Sequence, residues 1–278
     1  MRVLDTAAAM TRWSEGQRAE GCSVGLVPTM GFLHRGHASL MDLLRPRVDR
    51  LVVSIYVNPT QFGPDEDLDT YPADLDGDLA LCKAHGVDAV FNPPTLYPPG
   101  FATQVEVSGL TNGLCGARRP GHFRGVTTVV ARLFGVTQCS EAAFGEKDFQ
   151  QLMVLRRMTA DLALPVRIVP GALIRDDDGL ALSSRNTYLS AEQRRRALSL
   201  HRVLFDLAAS DEPDVATQLR VARQRIDADR VDYLSIVDAE TLQPVERVTR
   251  PARALVAAFY GATRLIDNVA VGPELRWT

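Results

Sequence analysis

Consecutive apolar residues, many of them β-branched, occupy positions 24–27 and 51–57. That pattern predicts strands covered on both faces, as in a parallel sheet. Between and after these runs the period becomes helical. Leu40, Met41 and Leu44 share one face over 38–47, a stretch that Pro46 brings to a stop, while Leu75, Leu79 and Cys82 share another that ends at Gly86. Further strand patterns follow at 87–91, 141–144 and 166–169, with helical spacing at 126–134 and 149–162. Strand and helix therefore alternate, which predicts an α/β fold with a Rossmann-like, doubly wound parallel sheet. Ligands of such sheets bind beyond the carboxyl ends of the strands. The segments 28–37, 58–64 and 145–148 are thus where chemistry is expected.

After about Gly171 the rhythm changes. Two arginine-rich helical stretches begin near Ser190 and Pro213, and strands are predicted at 231–237, 254–259 and 264–269. The reading is a larger domain over 1–173 and a smaller α+β domain over 174–278. The Pro- and Gly-rich stretch 92–101 reads as a loop. The 278 residues are 46% hydrophobic and 23% charged, which excludes disordered, collagen-like and coiled-coil classes. A net charge of −3 supplies no global positive field for a nucleic-acid backbone. No apolar run approaches the ~20 residues that span a bilayer, so the expected location is the cytoplasm, with neither nucleic acid nor membrane as partner. Cys22, Cys82, Cys115 and Cys139 form no CxxC pair and read as free thiols.

His34-Arg35-Gly36-His37 follows a predicted strand and opens a predicted helix, which places two imidazoles on one face near a helix N-terminus. Backbone N–H groups and the dipole already favour an anion there. Gly36 lets a phosphate approach the main chain. Taken alone, the tetrapeptide is more simply a helix cap; its placement after a strand turns the reading towards a nucleotide phosphate. Zinc is the second competitor, but zinc helices usually space their histidines at i and i+4. Lys147, one of only two lysines, stands in Gly145-Glu146-Lys147-Asp148 directly after a predicted strand. An ordinary turn with Asp148 as N-cap is the plainer alternative. Leu182-Ser183-Ser184-Arg185-Asn186 combines hydroxyls and a guanidinium suited to polyphosphate, with Ser190 and Gln193 forming a capping box beyond it. Gln61 and Gln151 are neutral donors for a polar substrate, and His122 lies in a glycine-flanked stretch expected to be an active-site loop. The acidic run Asp65, Glu66, Asp67, Asp69, Asp74, Asp76 and Asp78 lacks the glycine and final glutamate of an EF-hand, and reads as a solvated loop and helix start.

Together, Pro28-Thr29-Met30-Gly31, the HxGH block, Val57-Asn58-Pro59-Thr60-Gln61-Phe62, Gly145 to Asp148 and Leu182 to Asn186 resemble the pantothenate synthetase family, in the family's order. That family belongs to the HxGH nucleotidyltransferases. The resemblance implies ATP-dependent joining of pantoate to β-alanine, through pantoyl adenylate, with release of pyrophosphate and AMP. It implies Mg2+ accompanying ATP and a homodimer formed through the larger domain. It implies an ATP site of Met30, Gly31, Phe32, Leu33, His34, Arg35, Gly36, His37, Gly145, Glu146, Lys147, Asp148, Ile174, Leu182, Ser183, Ser184 and Arg185. Of these, His34, His37, Lys147 and Arg185 are the expected catalytic groups, with His37 matching the family's proton donor. Gln61 and Gln151 would hold pantoate, Gln61 also lying near β-alanine. Arg35 and Leu182 depart from the glutamate and methionine common in the family. Phosphate charge near a histidine favours its protonated form, and the smaller domain is expected to close over the site. Another adenylylated acceptor, an RNA-binding relative and a nucleotide sensor are the competing readings.

Overall fold

A computed structural model of the chain describes residues 1–64, 66–273, 275 and 277. Six strands, β1 (Arg2–Leu4), β2 (Val24–Thr29), β3 (Arg50–Ile55), β4 (Ala89–Phe91), β5 (Glu141–Gly145) and β6 (Arg167–Gly171), form one sheet in the order β1-β4-β3-β2-β5-β6. All its pairings are parallel. Helices α1 (Ala7–Ala19), α2 (Arg35–Leu44), α3 (Leu75–Ala84), α4 (Leu114–Arg118), α5 (His122–Thr137) and α6 (Phe149–Asp161) accompany it. The continuous apolar runs are explained by burial on both sides. Leu26, Val52, Phe91 and Ala142 pack with Met10 of α1 and with α5 and α6. Val27, Leu51, Val53, Val90 and Ala143 point the other way, against α2 and Cys82 of α3.

From β2 the chain winds outwards through β3 to β4, then returns to lay β5 against the opposite side of β2, where Gly25 faces Glu141 and Leu26 faces Ala142. This reversal opens a crevice at the carboxyl ends of β2 and β5, the place where doubly wound sheets bind ligands. Both the HxGH block and Lys147 lie there.

A second sheet holds β7 (Arg230–Asp238), β8 (Ala252–Tyr260) and β9 (Thr263–Val271), antiparallel throughout, with α7 (Ala191–Ala208) and α8 (Val215–Gln224) nearby. Ile236, Ala254 and Val256 face Leu200, Leu204 and Leu207 of α7. On the opposite face Val237 and Leu255 rest on Phe149 and Met153 of α6, so the small sheet is seated on the helix that follows Lys147. Ser190 and Gln193 form the expected capping box of α7.

Three elements escape the hydrophobic pattern. β1 is a three-residue edge strand, α1 buries only Met10 and Ser14, and α4 is five residues long; each is too short or too little buried to show a period. His122 is the first residue of α5 rather than part of a loop.

Candidate active site

The turn from β2 into α2 passes through Gly31 and Phe32, whose φ values are 85° and 51°. Asp78 of α3 holds it there. Its carboxylate accepts the main-chain N–H groups of Phe32 (2.9 Å) and Leu33 (2.6 Å). Asp78 is buried, and burial raises its pKa against the opposing pull of these two donors. The turn delivers His34 as the N-cap of α2.

His34 Nδ1 accepts the N–H of Gly36 at 3.1 Å, and His37 Nδ1 accepts the N–H of His34 at 3.2 Å. A ring nitrogen that accepts carries no proton, so each neutral imidazole has its hydrogen on Nε2. The two rings lie 4.1 Å apart, centroid to centroid. A side chain at position 36 would start 2.9 Å from His34 Cε1, so glycine is required for this ring position as well as for access to the main chain. Burial, reinforced by the Lys147 ammonium, lowers His34 to about 4; burial, His34 and Lys147 lower His37 to about 3. The free protein therefore presents two neutral N–H donors.

Facing them is the turn after β5. Lys147 lines the cavity with its Nζ 3.7 Å from an Asp148 oxygen. Asp148 sits at the N-cap position of α6 but makes no side-chain capping bond. Ile174, Leu182, Ser183, Ser184 and Arg185 complete this side. Arg185 donates to both oxygens of Asp67, at 2.9 and 2.6 Å, and lies over the Tyr71 ring.

The third wall is polar at one end and apolar at the other. Asn58, 1% exposed, donates to Gln61 Oε1 (3.0 Å) and to the Gly125 carbonyl, while Tyr97 donates to its Oδ1 at 2.7 Å. The Gln61 amide is thereby oriented, with Nε2 towards Met30 Sδ. Arg119 binds both oxygens of Glu66 and donates to His122 Nε2 at 3.0 Å, so His122 donates from Nδ1 to the Gln61 carbonyl at 2.8 Å. Burial first and Arg119 second lower His122 to about 4. Gly125 lets α5 touch the 58–61 turn, since a Cβ there would meet the Thr60 carbonyl oxygen at 2.3 Å. Val126, Val129, Val130 and Leu133 of α5 supply the apolar end, and Gln151 of α6 also lines the cavity.

One cavity thus gathers Met30, His34, Gly36, His37, Gln61, Gly145, Lys147, Asp148, Gln151, Ile174, Leu182, Ser183, Ser184 and Arg185. Gly31, Phe32 and Leu33 shape its entrance turn without lining it. Two expected contacts point elsewhere. Arg35 is solvent-exposed and paired with Asp176 at 3.1 Å, and Glu146 turns away to Arg253 at 2.8 Å. The acidic run is more engaged than a solvated loop: Glu66 and Asp67 hold arginines, Asp74 caps α3 and Asp78 holds the β2–α2 turn. Asp65 lies outside the described residues. Asn58 falls within a motif block that does not show its task of orienting Gln61, and Asp78 and Arg119 carry no motif, because their role is to orient others.

The Pantoate-beta-alanine ligase family model matches residues 2–270. The chain belongs to the pantoate-β-alanine ligase family. The family's activity, the joining of pantoate to β-alanine to give pantothenate, is accordingly that of this enzyme. The chain is 50% identical to pantothenate synthetase of Moorella thermoacetica over 98% of its own length and 99% of that protein. The corresponding Geobacter sulfurreducens enzyme is also 50% identical, over 99% of this chain and 100% of the relative. A Thermus thermophilus pantothenate synthetase structure superposes with a TM-score of 0.92 at 47% identity, covering 98% of this chain and 100% of the other. A Francisella tularensis pantoate-β-alanine ligase, solved in complex with β-γ ATP and β-alanine, gives a TM-score of 0.80 at 31% identity with 97% of each chain covered. Leu182 lies over Gly36, its Cβ 3.8 Å from where a Cβ on Gly36 would be.

Proposed function

We propose that the cavity at the carboxyl ends of β2 and β5 carries out both half-reactions, with the triphosphate between the histidine pair and Lys147 and with pantoate against α5. The observation that carries this reading is one shared cavity holding two Nε2–H donors, an ammonium and a guanidinium opposite a pre-oriented glutamine amide. A carboxylate resists attack by an amine, so pantoate is first made into a mixed anhydride with AMP. Its carboxylate oxygen attacks the α-phosphorus, the bond to the β-phosphate bridging oxygen breaks, and pyrophosphate leaves. Negative charge grows on the phosphoryl oxygens and the departing group, where His34, His37, Lys147 and Arg185 stabilise it. Met30, Gly36, Gly145, Ile174, Leu182, Ser183 and Ser184 form the rest of the nucleotide site.

Gln61 Nε2 and Gln151 hold the polar groups of pantoate. The valines of α5 and Leu133 take its dimethyl carbon, which gains by leaving water. In the second half-reaction the neutral amine of β-alanine adds to the acyl carbon, AMP departs with the bonding electrons of the anhydride, and the amine loses a proton. Arg185 must exchange Asp67 for phosphate to take part.

Magnesium is tested by the donors present. Among the described residues no cluster of three or more His, Cys, Asp or Glu forms a metal cage. Mg2+ commonly uses one or two carboxylates plus substrate phosphates, and Asp148 on the cavity wall fits that role. When bound, the ion supplies charge neutralisation on phosphate oxygens. We further assign residues 174–278 as a lid, the assembly as a homodimer and the location as the cytoplasm. No helix among the described residues is long and apolar enough to cross a membrane. Sedimentation velocity tests the dimer, and cell fractionation tests the location.

The deciding experiment mixes ATP, magnesium and pantoate. Pyrophosphate and an acyl adenylate are expected at once, and AMP with pantothenate only after β-alanine is added. Nucleotide binding without pyrophosphate release would overturn the assignment.

A further inference from the structure

Lys147 sits in a single turn of 3-10 helix, Glu146–Asp148, and so short a turn cannot satisfy its own carbonyls. Their partner is Asn268, in the middle of β9 and 2% exposed. Its Nδ2 donates to the Glu146 carbonyl at 3.0 Å and to the Lys147 carbonyl at 2.9 Å. Its Oδ1 accepts from Arg253 Nε at 2.6 Å, and the same guanidinium holds the Glu146 carboxylate. Both amide hydrogens and the amide oxygen are therefore used. An apolar side chain of the same size would leave two main-chain oxygens and the buried Nε–H of Arg253 unpaired.

The neighbouring residue does the equivalent for the other wall. Asp267, 3% exposed, binds Arg175 through both oxygens at 2.7 and 2.8 Å and also accepts the N–H of Asn268. Arg175 is bridged to Ala181, and Leu182 donates its N–H to the Ile174 carbonyl, so this pair holds the strand that leads into Ser183, Ser184 and Arg185. Two consecutive residues of β9 thus grip the two segments that bring Lys147 and Arg185 to the cavity.

We infer that Asn268 is a positioning residue of the ligase reaction: it fixes the Glu146–Lys147 main chain in register with the lid sheet and so aims Lys147 at the triphosphate. The inference rests on the reading of Lys147 as a phosphate-binding group given above. A displacement of about 1 Å at such a group is enough to slow the reaction by about 100-fold. Nothing in the composition marks this asparagine, which lies 121 residues from Lys147.

The test is a double-mutant cycle on the full-length enzyme. Asn268→Asp keeps the shape and the acceptor for Arg253 but turns an oxygen towards two carbonyls; Asn268→Ser is the milder variant, read in the same way should the first not fold. Pantoate-dependent exchange between pyrophosphate and ATP reports adenylation, and aminolysis of supplied pantoyl adenylate by β-alanine reports the second step. Adenylation is expected to fall about 10- to 100-fold, the usual scale for a group that orients a ligand-binding residue. Aminolysis of the supplied adenylate is expected to stay within about threefold of the native rate. In a Lys147→Ala background the same substitution is expected to change adenylation by less than about threefold, because its effect runs through Lys147. An equal loss in both backgrounds, or a lowered melting temperature with native adenylation below it, overturns the proposal. If Lys147→Ala itself leaves adenylation unaltered, the fault lies instead with the role given to Lys147.

Discussion

At the scale of single residues, the site depends on which nitrogen of each imidazole is free. Both Nδ1 atoms of the HxGH pair are occupied by main-chain N–H groups, so the work falls to Nε2. His37→Ala is expected to lower the adenylation rate by about 100-fold or more, the scale for one transition-state donor. His37→Asn keeps an acceptor for the His34 N–H and should preserve the melting temperature while losing most of that rate. Rapid-quench measurement of pyrophosphate release reads the rate and calorimetry separates the two variants by melting temperature; a fall of under about threefold for His37→Ala refutes the role. The three lowered histidines also set a pH dependence. His34, His37 and His122 move from an ordinary 6.5 to about 4, about 3 and about 4. Between those values the unfolded chain binds protons that the folded one does not, so stability falls as pH drops from about 6.5 towards 4. His122→Gln is expected to shallow that acid limb in calorimetric melts taken across this range. Parallel curves for the two proteins would show that His122 titrates normally.

At the scale of elements, each catalytic segment is a strand end held by something remote in sequence. The β2–α2 turn hangs on Asp78 of α3, the 58–61 turn rests against Gly125 of α5, and the turn after β5 is tied to β9. Removing the first tie leaves the N–H groups of Phe32 and Leu33 without their acceptor. Asp78→Ala is expected to cost about 1–3 kcal/mol and to raise the KM for ATP more than that for pantoate. Chemical denaturation and steady-state kinetics check the two parts. An unchanged KM for ATP would mean that the turn holds its form without the carboxylate. The helices and strands themselves follow from periodicity. The ties do not, because a buried aspartate in an acidic stretch looks like any solvated one until α3 is packed against the sheet.

At the scale of the whole molecule, the small sheet is seated on α6 through Phe149, Met153, Val237 and Leu255, and its last strand, through Asp267 and Arg175, holds the segment that leads into Ser183 to Arg185. Closure of residues 174–278 over the site is expected when ATP and pantoate are both present. It should appear as a smaller radius of gyration in solution scattering and as slower amide exchange in the 182–188 segment. No change in either measurement removes the lid. The apolar periods and the order of the HxGH, Gly145–Asp148 and Ser-Ser-Arg blocks were sufficient to read the α/β class, the crevice and the family. These are local properties, set by burial of each element and by motifs that lie within a few residues. Folding alone decided that Arg35 and Glu146 face away, that the histidines are neutral donors from Nε2, that Arg185 rests on Asp67 and that Asn268 reaches Lys147. Each of these depends on burial or on a partner far along the chain, and neither exists before the two sheets and α6 come together.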